Sequence, residues 1–181
     1  MVIWFIGLSG SGKSTIGKEV CRLWKSIEKN VVLVDGDDIR DVFSANDKTK
    51  DYSIEARREN SRRIRSLCHW LDKQDVNVVC NILSIFEESH EWNRQNYSDY
   101  YEVFIDVPMQ ILEQREVKNL YRAYREGKMN NVVGQDIPFT PPQKPNLIVD
   151  NRNELTSFND TAEQILDYAL SRENGKISVH A

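Results

Sequence analysis

Cysteine and histidine are scarce in this chain, three of each among 181 residues, and neither is arranged for chemistry. Cys21, Cys68 and Cys80 are scattered and odd in number, without the close pairing that zinc sites or redox pairs use, and so read as reduced structural thiols. His69, His90 and His180 have no ligand spacing among themselves and receive no role. Long apolar runs are missing as well. The opening one, Val2 to Ile6, is a few residues long, has no basic stretch before it and runs into a glycine-rich loop. That excludes a signal peptide or a membrane span and leads to the expectation of a cytoplasmic protein. Nor is there an excess of positive charge: 24 basic against 28 acidic residues leave a net charge of -4. General binding to nucleic acid or acidic membrane is disfavoured, and any anionic ligand must be met locally. Proline is confined, with four of the five falling at positions 138, 141, 142 and 145, in a stretch without periodicity that reads as an ordered loop or a flap.

The remainder is ordinary for a soluble domain, 40% hydrophobic and 29% charged, which is enough for one core without disulfides. A single domain over residues 1–170 is expected, followed by a polar, mobile C-terminal tail over 171–181. Short apolar runs at Val2–Ile6, Val31–Val34, Val76–Leu83, Val103–Val107 and Leu147–Val149 alternate with longer segments of helical period. The alternation predicts an α/β fold, a parallel sheet of about five strands covered by helices on both faces. The first helix should turn Ile16, Val20, Leu23 and Ile27 inward, with Trp24 beside them.

The stretch with the most chemistry is Gly7-Leu8-Ser9-Gly10-Ser11-Gly12-Lys13-Ser14-Thr15, between the first strand and the first helix. It fits G-x-x-x-x-G-K-[ST], a phosphate-binding loop. Glycines let successive backbone N–H groups converge on phosphate oxygens at the positive end of a helix. Lys13 would reach the terminal phosphates of ATP, and Ser14 would offer its hydroxyl to the magnesium ion that accompanies them.

The second strand runs into Asp35-Gly36-Asp37-Asp38-Ile39-Arg40. In an open parallel sheet, ligands bind beyond the carboxyl ends of the strands, so this cluster and the phosphate loop share one site. One carboxylate there could order the magnesium shell and another could accept the proton of an attacking hydroxyl. The next helix, Ser53 to Lys73, has an inward stripe of Ile64, Leu67, Cys68 and Leu71 that continues backwards through Asn60 and Arg57, polar groups suited to a ligand. Leu83 and Ser84 fall at the end of the third strand, where Ser84 is a hydrogen-bond donor candidate. Phe86 and Trp92 read as local packing and Glu87 as solvated. Arg115, Lys118, Arg122 and Arg125 recur at helical spacing and suggest a basic lid over ATP. Phe139 either stacks on a nucleobase or pins its own loop to the core.

Taken together and in this order, these motifs resemble the adenylyl-sulfate kinase family of P-loop kinases. The likeness runs from about Val2 to Asp150 and includes Arg57-Arg58-Glu59-Asn60-Ser61-Arg62-Arg63, Val103-Phe104-Ile105-Asp106-Val107-Pro108, Lys118-Asn119-Leu120-Tyr121 and the segment Gly134 to Pro142. The resemblance implies transfer of the γ-phosphoryl group of MgATP to the ribose 3′-hydroxyl of adenylyl sulfate, and a homodimer. By position it implies that Asp37 is the base or hydroxyl-positioning carboxylate, that Lys13 and Lys118 stabilise the transferring group, and that Asp35 and Ser14 serve the magnesium ion. Arg40, Arg57, Asn60, Leu83 and Ser84 would hold the acceptor nucleotide, with Phe139 and Tyr52 on the two sides of its base.

Three departures stand out. Leu83-Ser84-Ile85-Phe86-Glu87 replaces the family's Ile-Ser-Pro-aromatic-Arg, Asn119 replaces a glycine in Lys-Gly-Leu-Tyr, and Ala56-Arg57 replaces Asp-Arg. The first suits an altered 5′ group and admits a second acceptor, the cytidine diphosphoramidate of the kinases of bacterial capsule modification. A non-catalytic nucleotide-binding regulator is the reading from another class, and the presence of both Asp35 and Asp37 argues against it.

Overall fold

The computed structural model describes residues 1–43, 51–115, 119–153, 157–172 and 175–178. The five apolar runs become β1 (Val2–Ile6), β2 (Val31–Asp35), β3 (Asn77–Ile82), β4 (Tyr100–Asp106) and β5 (Leu147–Asp150). The sheet also has a sixth strand, β6 (Gly175–Ser178), parallel to β5, inside the stretch that the sequence marks only as a polar tail. Its four residues, Gly-Lys-Ile-Ser, contain one apolar side chain, too little to give a strand pattern. The strand order is β2-β3-β1-β4-β5-β6, and every pair is parallel. The chain passes from β1 to the edge strand β2, returns through β3 to β1's flank, and then crosses to β4 on the other side, so strands diverge about β1 and a crevice opens at its carboxyl end.

The helices are α1 (Lys13–Ile27), α2 (Gly36–Phe43), α3 (Ile54–Asp72), α4 (Glu87–Asn96), α5 (Met109–Arg115), α6 (Leu120–Arg125) and α7 (Phe158–Ser171). Alternation along the strands divides the sheet between two cores. Ile3, Phe5, Val79, Val103, Ile105, Leu147 and Val149 pack under α1 and α7 with Ile16, Val20, Trp24, Ile165 and Leu166. Val2, Trp4, Ile6, Val78, Cys80 and Phe104 face the other way, toward Ile64 and Cys68 of α3. At about 1.5–3 kcal/mol for each large apolar side chain buried, these two layers are the main favourable term in folding. The expected inward stripe of α1 holds except at its end, where Ile27, the last residue of the helix, is exposed.

Local signals explain the helix starts near the crevice. Ser53 caps α3, its hydroxyl accepting from the Ala56 N–H at 3.2 Å, and Ser157 caps α7 in the same way through Asp160. Gly36 opens α2, so that Asp37 and Asp38 fall in a helical first turn where negative charge is favoured. Among the described residues, no helix is long and apolar enough to cross a membrane.

One close approach fixes α1 on the sheet. Gly17 is buried against Asn81 of β3, and a Cβ there would run into the carboxamide, standing 2.7 Å from both Cγ and Nδ2. Gly17→Ala gains about 1 kcal/mol of helix propensity but incurs about 1–3 kcal/mol of overpacking. A net loss of roughly 1 kcal/mol is expected, read as a lower denaturation midpoint at unchanged slope; a midpoint at or above that of the native chain would contradict the packing described.

Candidate active site

The phosphate loop is shaped by anchoring its carbonyl groups. Leu8 O accepts from the Ser11 N–H at 3.2 Å and from Lys13 Nζ at 3.4 Å, Ser9 O accepts from the Tyr121 hydroxyl at 2.9 Å, and Ser11 O accepts from Asn151 Nδ2 at 2.8 Å. With acceptors engaged, the loop meets an incoming anion with donors. Gly12 has φ +93°, a left-handed conformation that also brings its Cα against Asn151, so the position admits only glycine without strain. Gly7, Leu8 and Ser11 form the buried underside, while Ser9, Gly10, Gly12, Lys13, Ser14 and Thr15 line the open side.

Tyr121, at the start of α6, is itself buried, and burial pushes its hydroxyl up to about 12, which keeps it a neutral donor to Ser9. Asn119 precedes it at φ +54°. Glycine favours that region and asparagine tolerates it better than most residues, so Asn119 preserves the turn.

Asp35, the last residue of β2, connects the loop to the acidic cluster. Its Oδ2 accepts from Ser14 Oγ at 2.9 Å and its Oδ1 from the Asp37 backbone N–H at 3.0 Å. Behind it, Asn60 of α3 donates through Nδ2 to Gly36 O at 3.2 Å, which explains a polar group on an inward stripe. Asp37 is exposed at the mouth.

Opposite the phosphate loop lies a cation and aromatic cluster. The Arg40 guanidinium stands 4.8 Å from the Tyr52 ring centre and that of Arg57 stands 5.5 Å from it. Arg57 is held by two carbonyls, donating from Nε to Tyr52 O at 2.9 Å and from a terminal nitrogen to Asn131 O at 2.8 Å. Burial, then the like charge of Arg40, pushes its pKa down, opposed by Asp37 and Asp136 among others. Arg40 donates to Asp51 O at 3.0 Å. Arg40, Tyr52, Arg57, Asn60, Asn131, Asp35, Asp37 and the open side of the phosphate loop line one cavity of about 880 Å³, together with Leu83. That volume is at the upper end of small-molecule sites.

Among the described residues, no group of three His, Cys, Asp or Glu side chains could hold a metal ion on its own. The hydroxyl and carboxylate of Ser14 and Asp35 suit a magnesium ion that arrives with phosphate oxygens and keeps much of its water.

Not every residue expected here reaches the cavity. Ser84 is buried and its hydroxyl is engaged with His90 Nε2 at 2.7 Å, turned toward α4. Phe139 packs near Phe104, ring centres 6.1 Å apart, beside a smaller apolar cavity of about 300 Å³. Of its two readings, the one that pins a loop to the core describes this position. Of the basic strip, Arg115 lines the main cavity, donating to Asn151 O at 2.6 Å. Arg122 is exposed beside Asn119 and Arg125 is exposed at 3.8 Å from Glu113. Lys118 lies outside the described residues.

Among the contributors that were not anticipated are Asn81, Asn131, Asn151 and Phe158. Asn151 follows the end of β5, so the rule that sites form at strand carboxyl ends, extended to the last apolar run, points to it. Asn81 interrupts Val78-Val79-Cys80, a polar break in an otherwise apolar strand. Asn131 and Phe158 carry no local signal.

Comparison with known proteins agrees with this geometry. The family model for adenylylsulphate kinase matches residues 1–150. The adenylyl-sulfate kinase of Gloeothece citriformis is 34% identical over 166 residues, covering 92% of each chain. The cytidine diphosphoramidate kinase of Campylobacter jejuni is 33% identical over 156 residues, covering 85% of this chain and 89% of that protein. The solved structure of the Mycobacterium tuberculosis APS kinase CysC in complex with AMPPNP and APS superposes with a TM-score of 0.78 at 31% identity, covering 92% and 95% of the two chains.

The Ser84–His90 contact carries a pH signature. Burial, then the Arg94 charge, lowers the His90 pKa to about 4, against 6.5 ordinarily. The unfolded chain therefore takes up this proton first as pH falls, so folding stability is full above about 6.5 and declines toward 4, by on the order of 3 kcal/mol. His90→Gln retains a partner for Ser84 and is expected to flatten stability across that window, measured by denaturant titration at several pH values. An unchanged pH slope would show that His90 is charged in the fold.

Proposed function

Because the chain belongs to the adenylyl-sulfate kinase family, we propose that it transfers the γ-phosphoryl group of ATP to the ribose 3′-hydroxyl of a 5′-modified nucleotide, with adenylyl sulfate as the acceptor. The observation that carries this reading is the single cavity in which the phosphate loop, the Asp35–Asp37 turn and the Arg40–Tyr52–Arg57 cluster face one another. Phosphoryl transfer needs little covalent help from a protein: its catalysis is alignment plus stabilisation of charge. Lys13 and the loop N–H groups hold the ATP phosphates. Arg40, Arg57 and Tyr52 hold the acceptor. Asp37, on the turn between them, orients the acceptor hydroxyl and takes its proton as it attacks. A magnesium ion held by Ser14 and Asp35 would neutralise phosphate charge. Lys118 would add a cation from the lid side, by resemblance to the family.

A second acceptor, cytidine diphosphoramidate, is favoured by one observation. Glu87 stands in the segment where the family carries an arginine, and none of Ser84, Ile85, Phe86 and Glu87 brings a cation to the cavity; Glu87 opens α4 with its carboxylate 3.5 Å from His90 Nδ1, outside the residues that line it.

Release of ADP with each acceptor, with the product's phosphate position read by phosphorus NMR, separates the readings. Turnover of adenylyl sulfate at least tenfold above that of cytidine diphosphoramidate supports the first; the reverse supports the second; phosphate on neither 3′-hydroxyl removes both. Asp37→Asn is expected to lower turnover about 10²–10⁴-fold with ATP affinity within about twofold. Normal turnover in that variant would end the assignment of Asp37.

A further inference from the structure

Among the described residues, Asn81 is a buried side chain with neither its donor nor its acceptor atom partnered. It stands on β3 in register with Phe5 of β1 and Asp35 of β2, so its side chain shares a sheet face with theirs, under α1. Asn81 is 1% exposed and borders the main cavity, and neither its Nδ2 nor its Oδ1 has a hydrogen-bond partner among the described residues. Directly above it is Gly17, three residues after Ser14 on the same helix, bare of any side chain that could cover or satisfy the amide. The pair beside it is the one joining Ser14 to Asp35.

A buried carboxamide without partners costs about 1–3 kcal/mol or more, and such groups in folded proteins are nearly always satisfied by protein or by ordered water. An apolar residue at this strand position would be cheaper. Asn81 lies at the wall of a polar cavity, where water finds several partners.

We propose that Asn81 is a positioning residue for the divalent cation of the nucleotide: its carboxamide holds water at the cavity floor, and through that water it fixes the Asp35 carboxylate and the cation's hydration shell. The inference rests on the reading that Ser14 and Asp35 serve the magnesium ion, and it adds an outer partner to that pair. The chemistry is that of outer-shell hydrogen bonding, where loss of a partner typically weakens metal binding about 10–100-fold.

The test uses the full chain with Asn81→Leu, which keeps the shape and removes the polarity, and Asn81→Ala, which removes the amide and leaves space. Thermal stabilisation is measured with ADP alone and with ADP and increasing magnesium chloride, alongside the magnesium dependence of turnover. In both variants the half-saturating magnesium concentration is expected to rise about tenfold, with stabilisation by ADP alone and the acceptor KM within about twofold of the native chain. If Asn81→Leu does not fold, Asn81→Ala decides alone. Half-saturation equal to that of the native chain, or equal losses with and without magnesium, would overturn the proposal and leave Asn81 a packing residue. Should the native chain show no added stabilisation from magnesium with ADP, the reading of Ser14 and Asp35 itself falls, and the role of Asn81 falls with it.

Discussion

The Asp35 carboxylate is shared between the two halves of the site, one oxygen accepting from the Ser14 hydroxyl and the other from the Asp37 N–H. Strand order gives this its consequence. The start of α1, which bears Ser14, follows β1 and the start of α2, which bears Asp37, follows β2, and β3 lies between those two strands. No ladder hydrogen bond can join the two ends directly. The pair reaches across that gap from α1, and α1 can lie low enough to make it because residue 17 is glycine over Asn81. Close helix packing, the Ser14–Asp35 bond and the placement of Asp37 are therefore one arrangement. In the proposed reaction a shift of either side would misalign phosphate and hydroxyl, to which the rate of transfer is steeply sensitive.

Around this centre the molecule uses backbone carbonyls as anchors. Tyr121 and Asn151 hold the phosphate loop from outside, and Arg57 is spread between Tyr52 O and Asn131 O. Such bonds cost less to make with groups that burial already keeps neutral, as with Tyr121, and more with Arg57, whose charge is partly desolvated beside Arg40. An anion between the arginines and the phosphate loop would offset that desolvation, which is the electrostatic ground for the proposed acceptor side.

Much of this was legible in the chain because it is local. The phosphate loop, the Asp35-Gly36-Asp37 turn and the Arg57–Asn60 stripe each follow from residues within a few positions of one another, and strand polarity alone assembles them at one edge. What escaped was decided by tertiary direction. Ser84 stands at the expected strand end but turns to His90, because α4 supplies a buried neutral partner there. For Phe139 the sequence left two readings open, and the contact with Phe104 that favours the core-pinning one is set by a proline-rich loop that no periodicity reveals. The strand β6 and the side chains of Asn131 and Phe158 likewise gain their positions only from elements distant in sequence. Asn81 was the exception: a polar residue within an apolar strand was visible, and only its neighbour Gly17 shows what it faces.

The central claim, that one carboxylate couples the nucleotide side to the acceptor side, is tested most directly by steady-state kinetics of Asp35→Asn with ATP, magnesium and acceptor varied in turn. The amide keeps the shape and one acceptor oxygen but loses the charge and half of the bridge. A shared role requires turnover to fall about 10–100-fold together with a raised magnesium requirement, because both hydrogen bonds depend on the same group. A variant that needs more magnesium but turns over at the native rate once saturated would contradict the account, since Asp35 would then serve the metal alone and the alignment of Asp37 would have another source.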